Sequence, residues 1–177
     1  MNQITKRILS LVVALGLIAS SGFAATGTSN QTASLAVPEI AVIATSGNVS
    51  TMTFVAPAAG VTPADVTDNS TYLEYTSTTN GTATRKISAK LSSATVPAGA
   101  ALKIVAVTGG TNEGTAQTAF DLTISDQDLI TGVGTVATGT GSAGVQVTYT
   151  LHVTSMSDLD ISAASDSTVV FTLAAAV

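Results

Sequence analysis

The sequence predicts an all-β protein, an antiparallel sandwich of about eight short strands, and three observations carry that expectation. Val145–Val153 alternates apolar and polar side chains over nine positions (Val-Gln-Val-Thr-Tyr-Thr-Leu-His-Val). That is the period of two of a strand with one buried and one wet face. At 100° per residue a helix would scatter its five apolar side chains around the whole circumference. Thr, Val, Ser and Gly dominate the rest of the chain, residues that suit pleated surfaces and tight turns. No long stretch carries an apolar period of 3.6.

The chain has 177 residues, and its first two dozen read as a secretory signal. Lys6 and Arg7 form a basic start, Ile8 to Ala19 is apolar, and Ser20-Ser21-Gly22-Phe23-Ala24 offers small residues for cleavage after Ala24. The apolar run is shorter than the roughly 20 residues needed to cross a hydrocarbon core of about 30 Å. Residues 1–24 are therefore set apart from the fold, and no membrane span is expected once they are removed. The exported chain keeps four basic residues (Arg85, Lys86, Lys90, Lys103) against eleven acidic ones, a formal charge of −7. A surface of that sign repels phosphate backbones and anionic lipid, which excludes nucleic acid as a partner. With no cysteine, neither a disulfide nor a thiolate metal site contributes. About 150 residues suffice for one full core without staples.

In chain order, residues 25–34 lack charge and aromatics and read as a flexible leader, followed by a single domain over residues 35–177. The first strand is expected over residues 35–45. Pro38 lacks a ladder donor and places it at a sheet edge or breaks it in two. Ser46-Gly47-Asn48 turns into a second strand over 49–55, with Met52 and Phe54 on one face. Residues 57–69, with two prolines, Gly60 and aspartates, read as a loop between sheets. Residues 72–76 form a third strand, and Asn80-Gly81 suits a two-residue type I′ hairpin turn. That turn leads into a fourth strand over 84–91, with Ile87, Ala89 and Leu91 inward and Lys86, Ser88 and Lys90 toward solvent. Val96-Pro97-Ala98-Gly99 is a turn sequence. Residues 102–107 and 120–124 are the fifth and sixth strands, with a Gly-rich loop at 109–114 between them. Residues 126–144 read as a long glycine-rich connection to the central strand at Val145–Val153. Residues 168–173 close the sheet with Val169, Phe171 and Leu173 on one face. Short strands separated by Gly, Pro and Asn turns point to a Greek-key or immunoglobulin-like β-sandwich. A closed barrel is the alternative. The Cys and Trp of an immunoglobulin core are absent.

Chemistry is sparse. Gly132 to Ala137 fits G-x-G-x-x-A and Gly139 to Gly144 fits G-x-G-x-x-G. That pattern holds a pyrophosphate only between a strand and a helix N-terminus, and a strand follows here. Asp121, Asp126 and Asp128 lie close in sequence, with Asp158 and Asp160 beyond the central strand. Ca2+ takes six to eight oxygens, often from clustered aspartates, so Asp126 and Asp128 are the candidate metal ligands. No D-x-[DN]-x-[DN]-G run accompanies them, and solvated turn carboxylates are the plainer reading. His152, the sole histidine, falls on the polar phase of its strand with no Ser/His/Asp grouping in view. The alternation assigns most of the six aromatics of the exported chain to the core, leaving little to line a sugar-cleaving cleft. No catalytic or cofactor-binding residue is assigned, and a hydrolase ranks last. Asn-x-Ser/Thr sequons begin at Asn30, Asn48, Asn69 and Asn80, as chance in a Thr/Ser-rich chain produces.

With its signal segment, strand pattern and terminal strand, the chain resembles short secreted bacterial β-sandwich proteins, some of them fimbrial or pilin subunits. The resemblance implies a non-catalytic structural or adhesive protein at the cell surface, in the periplasm or outside the cell. Its partners would be other copies of itself or a surface polymer. For fimbrial subunits it implies assembly by strand addition, in which one subunit's N-terminal extension completes the next subunit's sheet. Residues 25–37, with Ala33, Leu35 and Val37 alternating, are the candidate extension. The chain departs from many pilins in lacking a disulfide and in ending Ala174-Ala175-Ala176-Val177 without their near-terminal aromatic. An extracellular carbohydrate- or ligand-binding module is the second expectation.

Overall fold

A computed structural model describes residues 27–160 and 166–176; the secretory segment read at residues 1–24 lies outside them. The chain divides into two units, Met1–Ala36 and Val37–Val177. In the first, residues 27–36 carry neither helix nor strand and are exposed.

The second unit is all-β. Its strands are β1 (Ala41–Ser46), β2 (Val66–Ser77), β3 (Arg85–Leu91), β4 (Ala100–Val107), β5 (Thr115–Ala116), β6 (Phe120–Asp121), β7 (Gln127–Val133), β8 (Val136–Ala137), β9 (Val145–Val153) and β10 (Val169–Ala175). A three-residue 3-10 turn, Gly141–Ala143, precedes β9, and no described helix is long and apolar enough to cross a membrane. All ladders are antiparallel. One sheet runs β1-β2-β9-β4-β6, with β8 also pairing the end of β2; the other runs β10-β3-β7-β5.

The most clearly alternating stretch of the sequence, β9, is the middle strand of the larger sheet. It pairs β4 without interruption from Ala100↔Val153 to Val107↔Gln146, and β2 from Val66↔Leu151 to Leu73↔Val145. Its inward Val145, Val147 and Tyr149 are buried. They join Leu73 and Tyr75 of β2 and Ile104 and Ala106 of β4 in one cluster with residues of the second sheet: Ile87, Ala89 and Leu91 of β3, and Leu129, Ile130 and Val133 of β7. The two sheets thus share a single apolar core, the condition for an all-β domain to bury both inner faces.

Several elements differ from the sequence expectation, each for a definable reason. The long connection over 126–144 contains β7, a strand paired on both sides, whose Leu129, Ile130 and Val133 are fully buried. Irregular register between β3 and β7, at Arg85/Ile87 and Ile87/Ser88, turns the consecutive Leu129 and Ile130 both inward. That erases the period of two. Gly132, at φ 70°, sits inside the strand and reads as a loop signal. Part of the 57–69 loop likewise belongs to β2, whose pairing with β9 shifts between Asp68 and Thr71. The expected strand over 49–55 forms no ladder, although Met52 and Phe54 are half-buried in alternation with exposed Thr51 and Thr53. The expected first strand begins only at Ala41, beyond Pro38, and it does lie at a sheet edge. The sixth strand shrinks to two residues.

The Asn80-Gly81 hairpin is also corrected. β2 and β3 lie in different sheets, so residues 78–84 carry the chain across the core instead of folding it back on itself. Gly81 takes φ 61°, while Asn112 is the one non-glycine residue at positive φ among the described residues, so the type I′ pair is not made. The turn closes from Ala83 N to Asn80 O at 3.1 Å. The turn near Pro97 forms one residue later than read, with Ala100 N donating to Pro97 O and Gly99 at φ 74°. On β3, Ser88 is buried and Lys86 and Lys90 are half-buried, because neighbours on both sides cover a central strand.

The placement of β7 has a direct consequence. Leu129→Ala should destabilise the protein by about 2–5 kcal/mol, the range for a buried leucine truncation. Urea unfolding measures this, and a change within about 0.5 kcal/mol, as at a surface loop, would return residues 126–133 to the loop reading.

Candidate assembly edge and adjoining cleft

The two lateral sides of the second unit are built differently. On one side the outermost strands, β5 and β6, are two residues each. On the other stand β1 (Ala-Val-Ile-Ala-Thr-Ser) and β10 (Val-Val-Phe-Thr-Leu-Ala-Ala), six and seven residues with no charged side chain. Their registers with β2 and β3 run unbroken from end to end. Edge strands present a row of backbone donors and acceptors, and proteins usually blunt them with charge, proline, bulges or brevity. β5 and β6 follow the last route, whereas β1 and β10 have none of these within the strand. The two approach one another, with Cα atoms within 8 Å. The core-facing Val169, Phe171 and Leu173 of β10 and Ile43 of β1 stay half-buried, since no further strand among the described residues covers them.

Both ends of β1 are tied down. At the start, Ile40 N donates to Thr78 Oγ1 at 2.6 Å and Thr78 N donates to Ile40 O at 2.9 Å, while Thr78 Oγ1 lies 3.2 Å from Pro38 O. At the finish, Gly47 turns at φ 79° against β2, where an added Cβ would collide with the Ser70 carbonyl oxygen. Asp68 then gathers the following loop. Its Oδ2 accepts from Ser50 N (3.1 Å) and Ser50 Oγ (2.6 Å), and its Oδ1 from Ser70 N (3.0 Å). Ser70 Oγ lies 2.6 Å from Asp68 Oδ1 and 2.7 Å from Asn48 O, so its one proton serves either acceptor. Burial alone would raise the Asp68 carboxyl. The hydrogen bonds from Ser50 and Ser70 outweigh it and hold the group well below the usual carboxylate range.

Beside this edge lies an open cleft of about 430 Å³, lined by residues 37–39, the crossover from β2 to β3, Arg85 and Ala175. Arg85 opens β3 between Val133 of β7 and Ala175 of β10, and its side chain is only 9% exposed. Its Nη2 pairs with Glu39 Oε1, and Glu39 is largely exposed. The buried Nε of Arg85 has no hydrogen-bond partner among the described residues. Sequence reading assigned neither residue a role. The available signal was that Arg85 is the one arginine of the exported chain and opens a strand of core-facing residues.

The residues singled out from sequence fall elsewhere. Asp126 and Asp128, the calcium candidates, each meet a lysine of β3: Lys90 Nζ lies 3.1 Å from Asp126 Oδ2, and Lys86 Nζ 2.9 Å from Asp128 Oδ1. Each carboxylate thus has an ammonium beside one of its oxygens. Among the described residues no three acidic, histidine or cysteine side chains converge as a metal group. Asp121 lies apart, its Oδ1 2.8 Å from His152 Nε2, a contact that ties β6 to β9 across the outer surface of β4. The first glycine pattern spans the end of β7 and β8, and the second encloses the 3-10 turn before β9. Both are strand–turn–strand. Tyr75 and Tyr149 are core residues whose hydroxyls are pushed above the usual range by burial, and then by the Glu113 and Asp68 charges respectively. Tyr72 is half-buried, its hydroxyl 3.4 Å from Gln146 Nε2.

The Asp68 cluster makes stability depend on acid pH. A carboxyl depressed by folding stabilises above its unfolded value of about 3.9, and that contribution fades as pH falls below it. Asp68→Asn should cost about 1 kcal/mol at neutral pH, near the low end for charged hydrogen bonds because water reaches the site. It should also flatten the acid limb of stability measured by chemical denaturation between neutral pH and about pH 2; an unchanged limb would remove Asp68 as its source. No family model, no curated protein and no solved structure matches the chain.

Proposed function

We propose that this chain is a secreted, non-catalytic structural or adhesive protein of a bacterial surface that assembles by β-strand addition. In this reading its two sheets form a Greek-key, immunoglobulin-like sandwich. Support for that topology comes from the chain's changing sheet at the β2–β3, β3–β4 and β4–β5 connections and inserting β9 between β2 and β4.

The observation that carries the functional reading is the β10 edge: seven uncharged residues in unbroken register, with one side unpaired among the described strands. A segment suited to pair with it is present in the same chain. Residues 27–36 carry neither helix nor strand, are exposed and free of charge, and Leu35 and Val37 are 93% and 85% exposed. At about 3.3 Å per residue β10 measures about 23 Å and residues 27–36 about 33 Å, enough to pair along the whole edge of a second copy. Main-chain hydrogen bonds would supply affinity, and the alternating Ala33, Leu35 and Val37 would extend the apolar face beside Phe171. Export through the segment at residues 1–24 delivers the protein to a compartment where such assembly is useful.

Size-exclusion chromatography and negative-stain microscopy of the chain from residue 25 onward test this. Concentration-dependent oligomers are expected, abolished by deleting residues 25–37. They should also be abolished by Thr172→Lys, a charge at an exposed position of β10. A protein that stays monomeric at high concentration, or oligomers indifferent to both changes, would sink the strand-addition reading.

A further inference from the structure

The cleft beside Arg85 holds a set of polar groups that the fold does not use. Nη2 of Arg85 is committed to Glu39, and Nε, without a partner among the described residues, is buried away from the open space. A guanidinium carries five donors, so the pair with Glu39 leaves donors over. Glu39 is exposed and uses Oε1 for the pair, leaving acceptor capacity on Oε2. Asn80 and Thr84, which carry a side-chain amide and a hydroxyl, line the same space, and both are exposed. Apolar surface is supplied by Pro38 and Ala175. The cleft therefore combines donors, acceptors and a small hydrocarbon patch, and its one cation and one anion cancel.

From this arrangement we infer that the cleft is a binding site for a neutral saccharide residue, gripped through adjacent hydroxyls. A vicinal diol offers both donors and acceptors at short spacing. Glu39 Oε2 accepts from one hydroxyl while Arg85 and Asn80 donate to its neighbour, and Thr84 serves as either. The C–H face of a sugar ring lies against Pro38 and Ala175. The volume, about 430 Å³, is within the range of roughly 300–1,000 Å³ of small-molecule sites and accommodates a monosaccharide or the end of a glycan. Charge selects the neutral class. The exported chain is strongly acidic, so an anionic sugar meets repulsion at long range, and the paired Arg85 and Glu39 leave no net local charge to offset it. The site adjoins the assembly edge through Ala175 of β10, but none of its four polar side chains belongs to that strand.

The test uses the 15N-labelled chain from residue 25 onward, titrated with the methyl glycosides of glucose, galactose and mannose and, separately, with glucuronic acid. The Arg85 Nε–H and Asn80 side-chain amide resonances are followed by NMR. At least one neutral glycoside should shift both, with a Kd of about 1 mM or tighter. Asn80→Ala and Thr84→Ala should each weaken that binding by about tenfold with an unchanged thermal midpoint, since both residues are exposed and neither side chain is hydrogen-bonded among the described residues. Failure of every neutral glycoside to shift these resonances would overturn the proposal. So would a response to glucuronic acid alone, or undiminished binding in both variants.

Discussion

The structure depends on β9 being hydrogen-bonded along both of its edges. A strand in that position satisfies its backbone groups inside the sheet, and its alternate side chains must then suit one dry and one wet face. β9 meets the requirement with Val145, Val147 and Tyr149 against the second sheet and Gln146, Thr148 and Thr150 on the outer face. Because β2 and β4 flank β9 and each other's neighbours hang from them, its register sets the position of every strand in the larger sheet. A slip of one residue would turn Gln and Thr into the core and Tyr149 into water.

Most of the stabilising pairings are non-local. Among the described residues, β1 with β2 is the one ladder of either sheet that joins consecutive strands; β2 with β9, β3 with β10 and β4 with β9 join segments far apart in the chain. Closing such loops precedes the contacts that reward it, which places this domain among the slower-folding topologies. During that interval an uncharged edge such as β10 is also a hazard, because the same backbone groups that would accept a donor strand accept any extended segment. Assembly competence and aggregation risk are thus one physical property of that edge. The opposite side, ending in the short β5 and β6, has little of either.

Charge is used sparingly and locally. The four basic residues of the exported chain include three that are engaged with acids: Arg85 with Glu39, Lys86 with Asp128 and Lys90 with Asp126. Lys86 neutralises Asp128 of β7 and Lys90 neutralises Asp126 just before that strand, whereas Arg85 works at the start of β3 with its side chain largely buried. Asp68 replaces a cation with serine and backbone donors, which is how an acid-rich chain with few cations keeps a loop pinned to a strand.

The all-β class, the strand at Val145–Val153, the inward faces of β3 and β10 and the edge position of β1 were all legible in the residues. In each, a regular pleat leaves its period of two in the sequence. β7 and the first half of β2 were not legible, since irregular register breaks that period while Gly132, Asp68 and Asn69 imitate a loop. The Asn80-Gly81 dipeptide identified a turn, and only the sheet assignment shows that the turn crosses the core, because local φ preferences do not specify which sheet receives the next strand. Asp126 and Asp128 were conspicuous as acids, yet their partners come from β3, some forty residues earlier in the chain. The cleft gathers residues 37–39, Asn80, Thr84, Arg85 and Ala175, positions whose spacing carries no periodic signal. Local pattern determined the regularly pleated strands and most of their dry faces. The choice of neighbours, and with it the open edge and the cleft, was decided only when long-range pairing brought distant segments together.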